Sequence, residues 1–405
     1  MKKIELLAPC GNVEKLNTAL YFGADSVYMS GHKLGLRAYA GNFTDDELES
    51  GVKMAHGVGK KVYVTVNVFA YDSDFCNLGE YLDYLESIAV DAIIVSDAGI
   101  VSYAMKHNPN LPVHLSTQAS TTNSYAVEFW RDLGVKRIVL AREVSLDGIK
   151  AIRDRLGDTI ELEAFVHGAM CMSYSGRCLL SNYLMNRGAN RGECVQACRW
   201  EYAIHEVKRP EKPLILTEDE RGSYILNSRD LNMMPYLDKM IQSGLDSLKI
   251  EGRMKTPYYV GTVVNAYRRA LDKYYESGIL DETLIKELDK AGHRTYTTGF
   301  YFGSSDNVCL ESSQPEQDYE FSAIVLDYDE DRKVAFVEQR NRFRDGDSLE
   351  VLSPSDNFNK TIPVSNIVDV DGEPVTDCKR VQQKLYIPTS LRLSKGDILR
   401  RKIDA

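Results

Sequence analysis

One phrase recurs along the N-terminal part of the chain and restricts its fold more than any other feature. It is a small residue, an apolar residue, Asp or Lys, and then a short apolar run. Its copies are Gly23–Met29, Ala89–Val95, Gly134–Leu140 and Gly244–Ile250. The leading Gly or Ala suits a helix C-cap, and the unbroken apolar run suits a strand buried on both faces of a parallel sheet. Between copies lie stretches of helical period, such as Thr44–Val58, where Thr44 and Glu47 read as a capping box. The pattern predicts strands at Ile4–Ala8, Ser26–Met29, Lys61–Val66, Ala92–Val95, Val113–Leu115, Arg137–Leu140, Ile160–Val166 and Ser247–Ile250. Nearly every one is followed by a helix, which argues for a (β/α)8 TIM-like barrel of class α/β. An open doubly wound sheet is the alternative, weakened by the lack of a G-x-G-x-x-G after the first strand.

In such a barrel the active site lies where strands end and βα loops begin. Polar residues stand at all eight predicted strand ends, among them Cys10, His32, Asn67, Asp97, Gln118, Arg142, His167 and Arg253, and Arg37 is within reach on a loop. Alternation along the seventh strand places Glu161, Glu163, Phe165 and His167 on one face, and Lys249 faces inward from the eighth. Buried charges require partners, so Glu163 and Lys249 are expected to pair inside the barrel, in a structural or a catalytic role.

Four of the eight cysteines, Cys171, Cys178, Cys194 and Cys198, fall in one segment with the spacing C-x6-C-x15-C-x3-C. It follows the seventh strand, so it opens at the same mouth. Four thiolates suit an iron–sulfur cluster or zinc, and the spacing lacks the tight knuckles of structural zinc sites. The remaining alternatives are buried free thiols, which fit a lone Cys76 better than this set, and disulfides, which do not persist in a reducing cytosol. Residues 168–232 are too many for an ordinary βα loop and read as an insertion that also holds short strands near Trp200–Ile204 and Tyr224–Asn227.

The chain has 405 residues, 43% hydrophobic and 27% charged, with a net charge of −10. That balance argues against a protein that coats nucleic acid non-specifically. It leaves room for a local patch: between Gly168 and Trp200, Arg177, Arg187, Arg191 and Arg199 face one acid, Glu193. The first residues run straight into strand-like sequence and no apolar run approaches the ~18–20 residues of a membrane helix, so the expectation is a cytosolic chain. Past residue 318, short strands between Gly, Asp and Pro turns predict a small β-barrel domain over 318–405, after a barrel domain over 1–317. No H-E-x-x-H, G-x-S-x-G or P-loop is present, although His167 and Cys171 are spaced so that a thiolate–imidazole pair is conceivable.

The run Glu163-x-Phe165-x2-Gly168-Ala169-Met170-Cys171-x4-Gly176-x-Cys178-x-Leu180-Ser181 resembles the signature of the collagenase-like peptidase family of unknown catalytic type. The stretches Leu7–Pro9, Arg37–Phe43, Asn190–Cys194, Ser247–Lys255 and Thr298–Tyr301 are similar to that family too. The resemblance covers nearly the whole chain. It implies one of two activities: peptidase action on collagen-like chains, or oxygen-independent hydroxylation of tRNA uridine, ribosomal RNA cytidine or the ubiquinone ring. The similarity is greatest to the branch that makes 5-hydroxyuridine in the tRNA anticodon loop. That branch implies an iron–sulfur cluster, of the 4Fe–4S type, on Cys171, Cys178, Cys194 and Cys198. It also implies prephenate as co-substrate, and it leaves room for a redox partner. On this reading Arg142 and Arg253 bind prephenate, while Arg37, Asn67 and Arg177 contact substrate. His167, Glu163 and Lys249 are the catalytic candidates. A non-catalytic subunit of a hydroxylation complex is a further alternative.

Overall fold

The computed structural model describes residues 3–32, 34, 42–171, 173–191, 193–200, 218–219, 222–223, 228–303 and 316–403. Eight strands form the frame: β1 (Glu5–Pro9), β2 (Ser26–Met29), β3 (Lys61–Val66), β4 (Ala92–Val95), β5 (Val113–Leu115), β6 (Arg137–Val139), β7 (Glu161–Ala169) and β8 (Ser247–Ile250). Each pairs in parallel with the next, and β8 closes the ring on both β1 and β7. The closure excludes the open doubly wound sheet. Helices α1 (Val13–Tyr21), α2 (Asp45–Gly57), α3 (Leu78–Ser87), α4 (Ala98–His107), α5 (Ser124–Asp132) and α6 (Leu146–Leu156) follow β1 to β6 in turn. The box at the start of α2 is formed: Thr44 Oγ1 accepts from Glu47 N at 3.2 Å, and the Glu47 carboxylate accepts from Thr44 N at 2.9 Å.

The recurring phrase has a mechanical reason. Its first residue lies at positive φ in every copy: Gly23 95°, Ala89 61°, Gly134 103° and Gly244 89°. That conformation turns the chain from helix end into strand. The aspartate two residues on then clamps the neighbouring strand. Asp25 accepts from Leu6 N at 3.0 Å, Asp91 from Val62 N at 2.8 Å and Asp246 from Leu162 N at 2.9 Å. Three strand pairs are thus tied at the end of the barrel opposite the mouth. The copy with Lys136 offers no carboxylate to clamp the neighbouring strand; its Lys136 N–H donates to the Val113 carbonyl at 2.9 Å, where the β5–β6 ladder begins.

After β7 come the cysteine segment with α7 (Leu180–Met185), a short strand Asp230–Asn232 antiparallel to β7, and α8 (Leu237–Gln242) before β8. The long α9 (Pro257–Ser277) and the shorter α10 (Thr283–Glu287) follow. α10 is barely more than one helical turn and runs on into a 3-10 turn at Leu288–Lys290. Residues 201–204 and 224–227, where the insertion's short strands were expected, lie outside the described residues, as does Arg37.

The C-terminal β-rich domain contains β9 (Tyr319–Asp329), β10 (Val334–Gln339), β11 (Ser348–Leu352), β12 (Thr361–Pro363), β13 (Lys384–Pro388) and β14 (Ile398–Lys402). Val325, Val337, Phe343, Val351, Leu385 and Leu399 belong to its separate core. It docks on α1, α9 and α10 through polar contacts as well as packing. Arg400, fully buried, reaches Glu287 and Glu350, both at 2.6 Å. Arg269 donates to the Ser353 and Ser355 carbonyls, and Tyr21 to Asp397 at 2.7 Å. No helix among the described residues is long and apolar enough to cross a membrane.

Candidate functional site

A cavity of about 580 Å³ opens at the strand-end face, within the range of small-molecule sites. Its floor is β8 and the middle of β7, with Lys249 and Phe165; one wall is the cysteine segment. Cationic side chains dominate the lining: Arg142, Arg187, Lys249, Arg253 and Lys255 stand against one acid, Glu251. In a chain of net charge −10 that excess is local and aimed at anions.

The two arginines expected to bind substrate are positioned by their own contacts. The Arg142 guanidinium lies 4.2 Å over the Phe165 ring, donates to the Ala169 carbonyl at 2.6 Å and stands 3.6 Å from the Glu251 carboxylate. Arg253 donates to Asn42 at 2.8 Å and lies 3.4 Å from the Thr65 hydroxyl. Asn67, also in the lining, donates to Gln118 Oε1 at 3.0 Å. Arg177 is exposed beside the cavity and is not part of its lining.

Below the floor the barrel interior is ionic rather than packed with branched apolar side chains as usual. Lys249 Nζ is 2.8 Å from Glu163 Oε1, as the alternation predicts. The pair is extended by Arg137, which reaches Glu163 at 3.0 Å and Glu5 at 2.6 Å. Burial pushes the Glu163 carboxyl up, and the charges of Lys249 and Arg137 outweigh it, holding the group below the usual carboxylate range. The ionised Glu163 anchors the Lys249 side chain at the floor of the cavity. Arg137 was missed from sequence, although an arginine inside an apolar strand requires a buried acid.

The cysteine segment is tied to three separate βα loops. Beyond β3, Arg191 bonds Asp74 at 2.8 Å, and Phe69 N donates to the Asn190 carbonyl at 3.1 Å. Beyond β5, Ser120 Oγ donates to the Ser175 carbonyl at 2.6 Å. Beyond β6, the Glu143 carboxylate accepts from Ser175 N at 3.2 Å. Gly176 crosses so close to Gln118 that a Cβ would sit 2.6 Å from its carbonyl oxygen, at a φ of +73°. The buried Ser181 hydroxyl accepts from Val195 N at 3.2 Å and lies 3.9 Å from Cys194 Sγ. Sequence reasoning found the cysteines but not these staples, which depend on which loops become neighbours.

Cys171, Cys178, Cys194 and Cys198 all line the cavity, and none of the four is joined in a disulfide. In kind and location they fit a soft, thiolate-held centre. In arrangement they do not yet form one: among the described residues, no three Cys, His, Asp or Glu side chains gather closely enough to share an ion. Of the scattered cysteines, Cys10 and Cys378 are buried, whereas Cys76 is exposed, contrary to the packing expected of a lone thiol.

His167 departs from expectation. The β7–β8 register slips, so that Lys249 faces Phe165 while Ile250 faces His167, and Val166 is skipped. The imidazole is thereby turned off the face of Glu163 and Phe165 and out of the cavity lining. It packs against the rings of Tyr259, Tyr267 and Tyr296, with centroids 5.6–6.0 Å away. Desolvation holds it neutral, its pKa lowered to about 3, against the opposing pull of Asp230. Cys171 is exposed on the cavity side, so the thiolate–imidazole pair is not formed.

Residues 11–309 match Peptidase family U32, and residues 317–400 match the Peptidase family U32 C-terminal domain. The chain is 39% identical to tRNA hydroxylation protein P1 of Bacillus subtilis (strain 168), over 99% of this chain and 95% of that one. It is 33% identical to tRNA hydroxylation protein P of Escherichia coli (strain K12), over 99% and 97%. A Porphyromonas gingivalis (strain ATCC BAA-308 / W83) protein named collagenase is 35% identical, over 74% of this chain and 72% of its own length.

Proposed function

The chain belongs to peptidase family U32, and from that premise we propose that it hydroxylates tRNA, converting uridine to 5-hydroxyuridine in the anticodon loop. The observation that carries the reading is the cavity itself, where four cysteines and five cationic side chains meet at a barrel mouth. The relatives that match over nearly the full chain are named for tRNA hydroxylation, which supports the same substrate. Single-stranded loops are read by stacking and base-edge contacts, so an acidic protein with a local cationic cavity suits them.

In this proposal Cys171, Cys178, Cys194 and Cys198 hold a 4Fe–4S cluster, which supplies redox-active iron at the cavity wall when bound. Arg142 and Arg253 grip the two carboxylates of prephenate, since a planar guanidinium matches a carboxylate in a bidentate fork. Lys249, held 2.8 Å from Glu163, adds positive charge below. The described residues of the cysteine segment form one wall of the cavity, beside the bound substrate. Replacing hydrogen by hydroxyl at carbon 5, with the oxygen entering at the oxidation level of water, releases two protons and two electrons, so an oxidising redox partner that takes up the electrons completes the reaction in a cytoplasmic setting.

The test has two arms. In a strain lacking this chain and any paralogue, tRNA nucleoside mass spectrometry should show 5-hydroxyuridine restored by wild type and not by Cys171→Ala. Anaerobically purified wild type should carry about four irons per chain, lost in Cys194→Ala. Undiminished 5-hydroxyuridine in the uncomplemented strain overturns the function. An iron-free protein that cleaves gelatin, and stops doing so on Cys171→Ala but not on Cys194→Ala, returns the chain to the peptidase reading.

A further inference from the structure

The rim of the cavity carries side chains that neither thiol ligation nor anion binding uses. Large apolar groups left in water are ordinarily scattered over a surface. Here six of the eighteen exposed large apolar side chains among the described residues fall between Tyr174 and Trp200. Tyr174 is 63% exposed, and Tyr183 is 87% exposed. Tyr174 belongs to the lining of the cavity; Tyr183 stands on α7, whose first residues, Leu180 and Ser181, line it as well. Among the described residues neither ring stacks on another aromatic and neither hydroxyl has a hydrogen-bond partner. Two flat faces are therefore presented to solvent beside a pocket whose charged lining is mostly cationic.

Resting on the RNA-modifying reading above, we propose that Tyr174 and Tyr183 are stacking platforms for the bases on either side of the one that enters the cavity, and that the occupant of this rim is a single-stranded RNA loop. A base drawn into the cavity leaves its neighbours with uncovered faces. An aromatic ring restores that stacking without regard to sequence. The charge decides between occupants. The cavity lining carries more cationic than acidic side chains, and the exposed Arg177 adds another beside it on the same segment, a sign of charge that favours a polyanion threaded past the mouth over an apolar partner. An RNA duplex, whose bases are already stacked, gains nothing from the rings.

The test is binding of the full-length chain to a fluorescent RNA stem–loop with an anticodon-sized loop, and to a blunt RNA duplex, followed by anisotropy over a range of salt. Wild type should prefer the stem–loop. Tyr174→Ala and Tyr183→Ala should each weaken that binding roughly 5- to 150-fold, the range a lost stacked base implies. Tyr174→Phe and Tyr183→Phe should bind like wild type, because the ring and not the hydroxyl is used. The salt dependence should be unchanged in the alanine variants and shallower in Arg187→Ala. Stem–loop binding that survives both alanine substitutions overturns the stacking role and leaves the RNA reading standing. A wild type that binds no stem–loop overturns both. Alanine variants that convert a dimer to a monomer in sedimentation, with RNA affinity unaltered, assign the rim to a second copy of the chain and overturn the proposal.

Discussion

At position 167 a single skipped residue in strand register decides what an imidazole does. Alternation alone puts His167 in the mouth; the slip beside Val166 puts it among three tyrosines behind the sheet, 1% exposed, with Nδ1 lacking a partner among the described residues. Its folded pKa, about 3, lies below its ordinary value of 6.5. The unfolded chain therefore binds a proton that the folded chain refuses, so the stability this group contributes is whole above pH 6.5 and is lost as the pH falls toward 3. Relative to His167→Phe, wild type should lose about 1.4 kcal/mol per pH unit between those limits. Urea unfolding of both proteins at several pH values checks this, and parallel curves would refute it. The same scale shows what residue identity reveals. Glu163 and Lys249 were legible because two opposite charges on strands that close a barrel must meet. Arg137 and Glu5 complete the network from strands far apart in sequence, and no local pattern indicates that meeting.

Elements were the most legible level, because the phrase that begins four of the strands carries its own geometry. A positive φ ends the helix and an aspartate secures the adjoining strand, so the predicted strands agree with the observed ones to within a few residues. The exception inside the phrase yields a prediction. Ala89 adopts a φ of 61° where the other three copies have glycine. An L-residue pays about 1–2 kcal/mol in that conformation, and glycine loses part of the difference through its freer unfolded chain. Ala89→Gly should therefore stabilise the protein by about 0.5–1 kcal/mol with an unchanged denaturant slope, measured by urea titration; a loss of stability would show that the helix end relies on the methyl group. The cysteine segment was legible only as a cluster of ligand-type residues. Its fixing points, Asp74, Gln118, Ser120 and Glu143, belong to loops whose proximity is a product of barrel closure.

At the scale of the molecule, the two domains share buried charge. Arg400 comes from the last strand and Glu287 from α10, and both are almost fully buried. Removing one partner leaves the other charged and desolvated, so Arg400→Met should cost about 3–5 kcal/mol. Because the loss falls on the seam, chemical unfolding should separate into two steps, with the C-terminal domain released first; a single transition at the wild-type midpoint would show that apolar packing alone holds the seam. The other end of the molecule is joined differently. The thiol-bearing segment touches the rest of the barrel through ties to residues 69–74, 118–120 and 143. The first of those loops holds a lone cysteine, Cys76, outside the four-thiol set, and each loop shares hydrogen bonds with the segment that carries the four. Amide exchange followed by mass spectrometry, with the four cysteines unoccupied and then occupied, would therefore report four slowed regions, three of them outside the segment that carries those cysteines. An event confined to a few sulfur atoms would be felt around much of the circumference of the barrel.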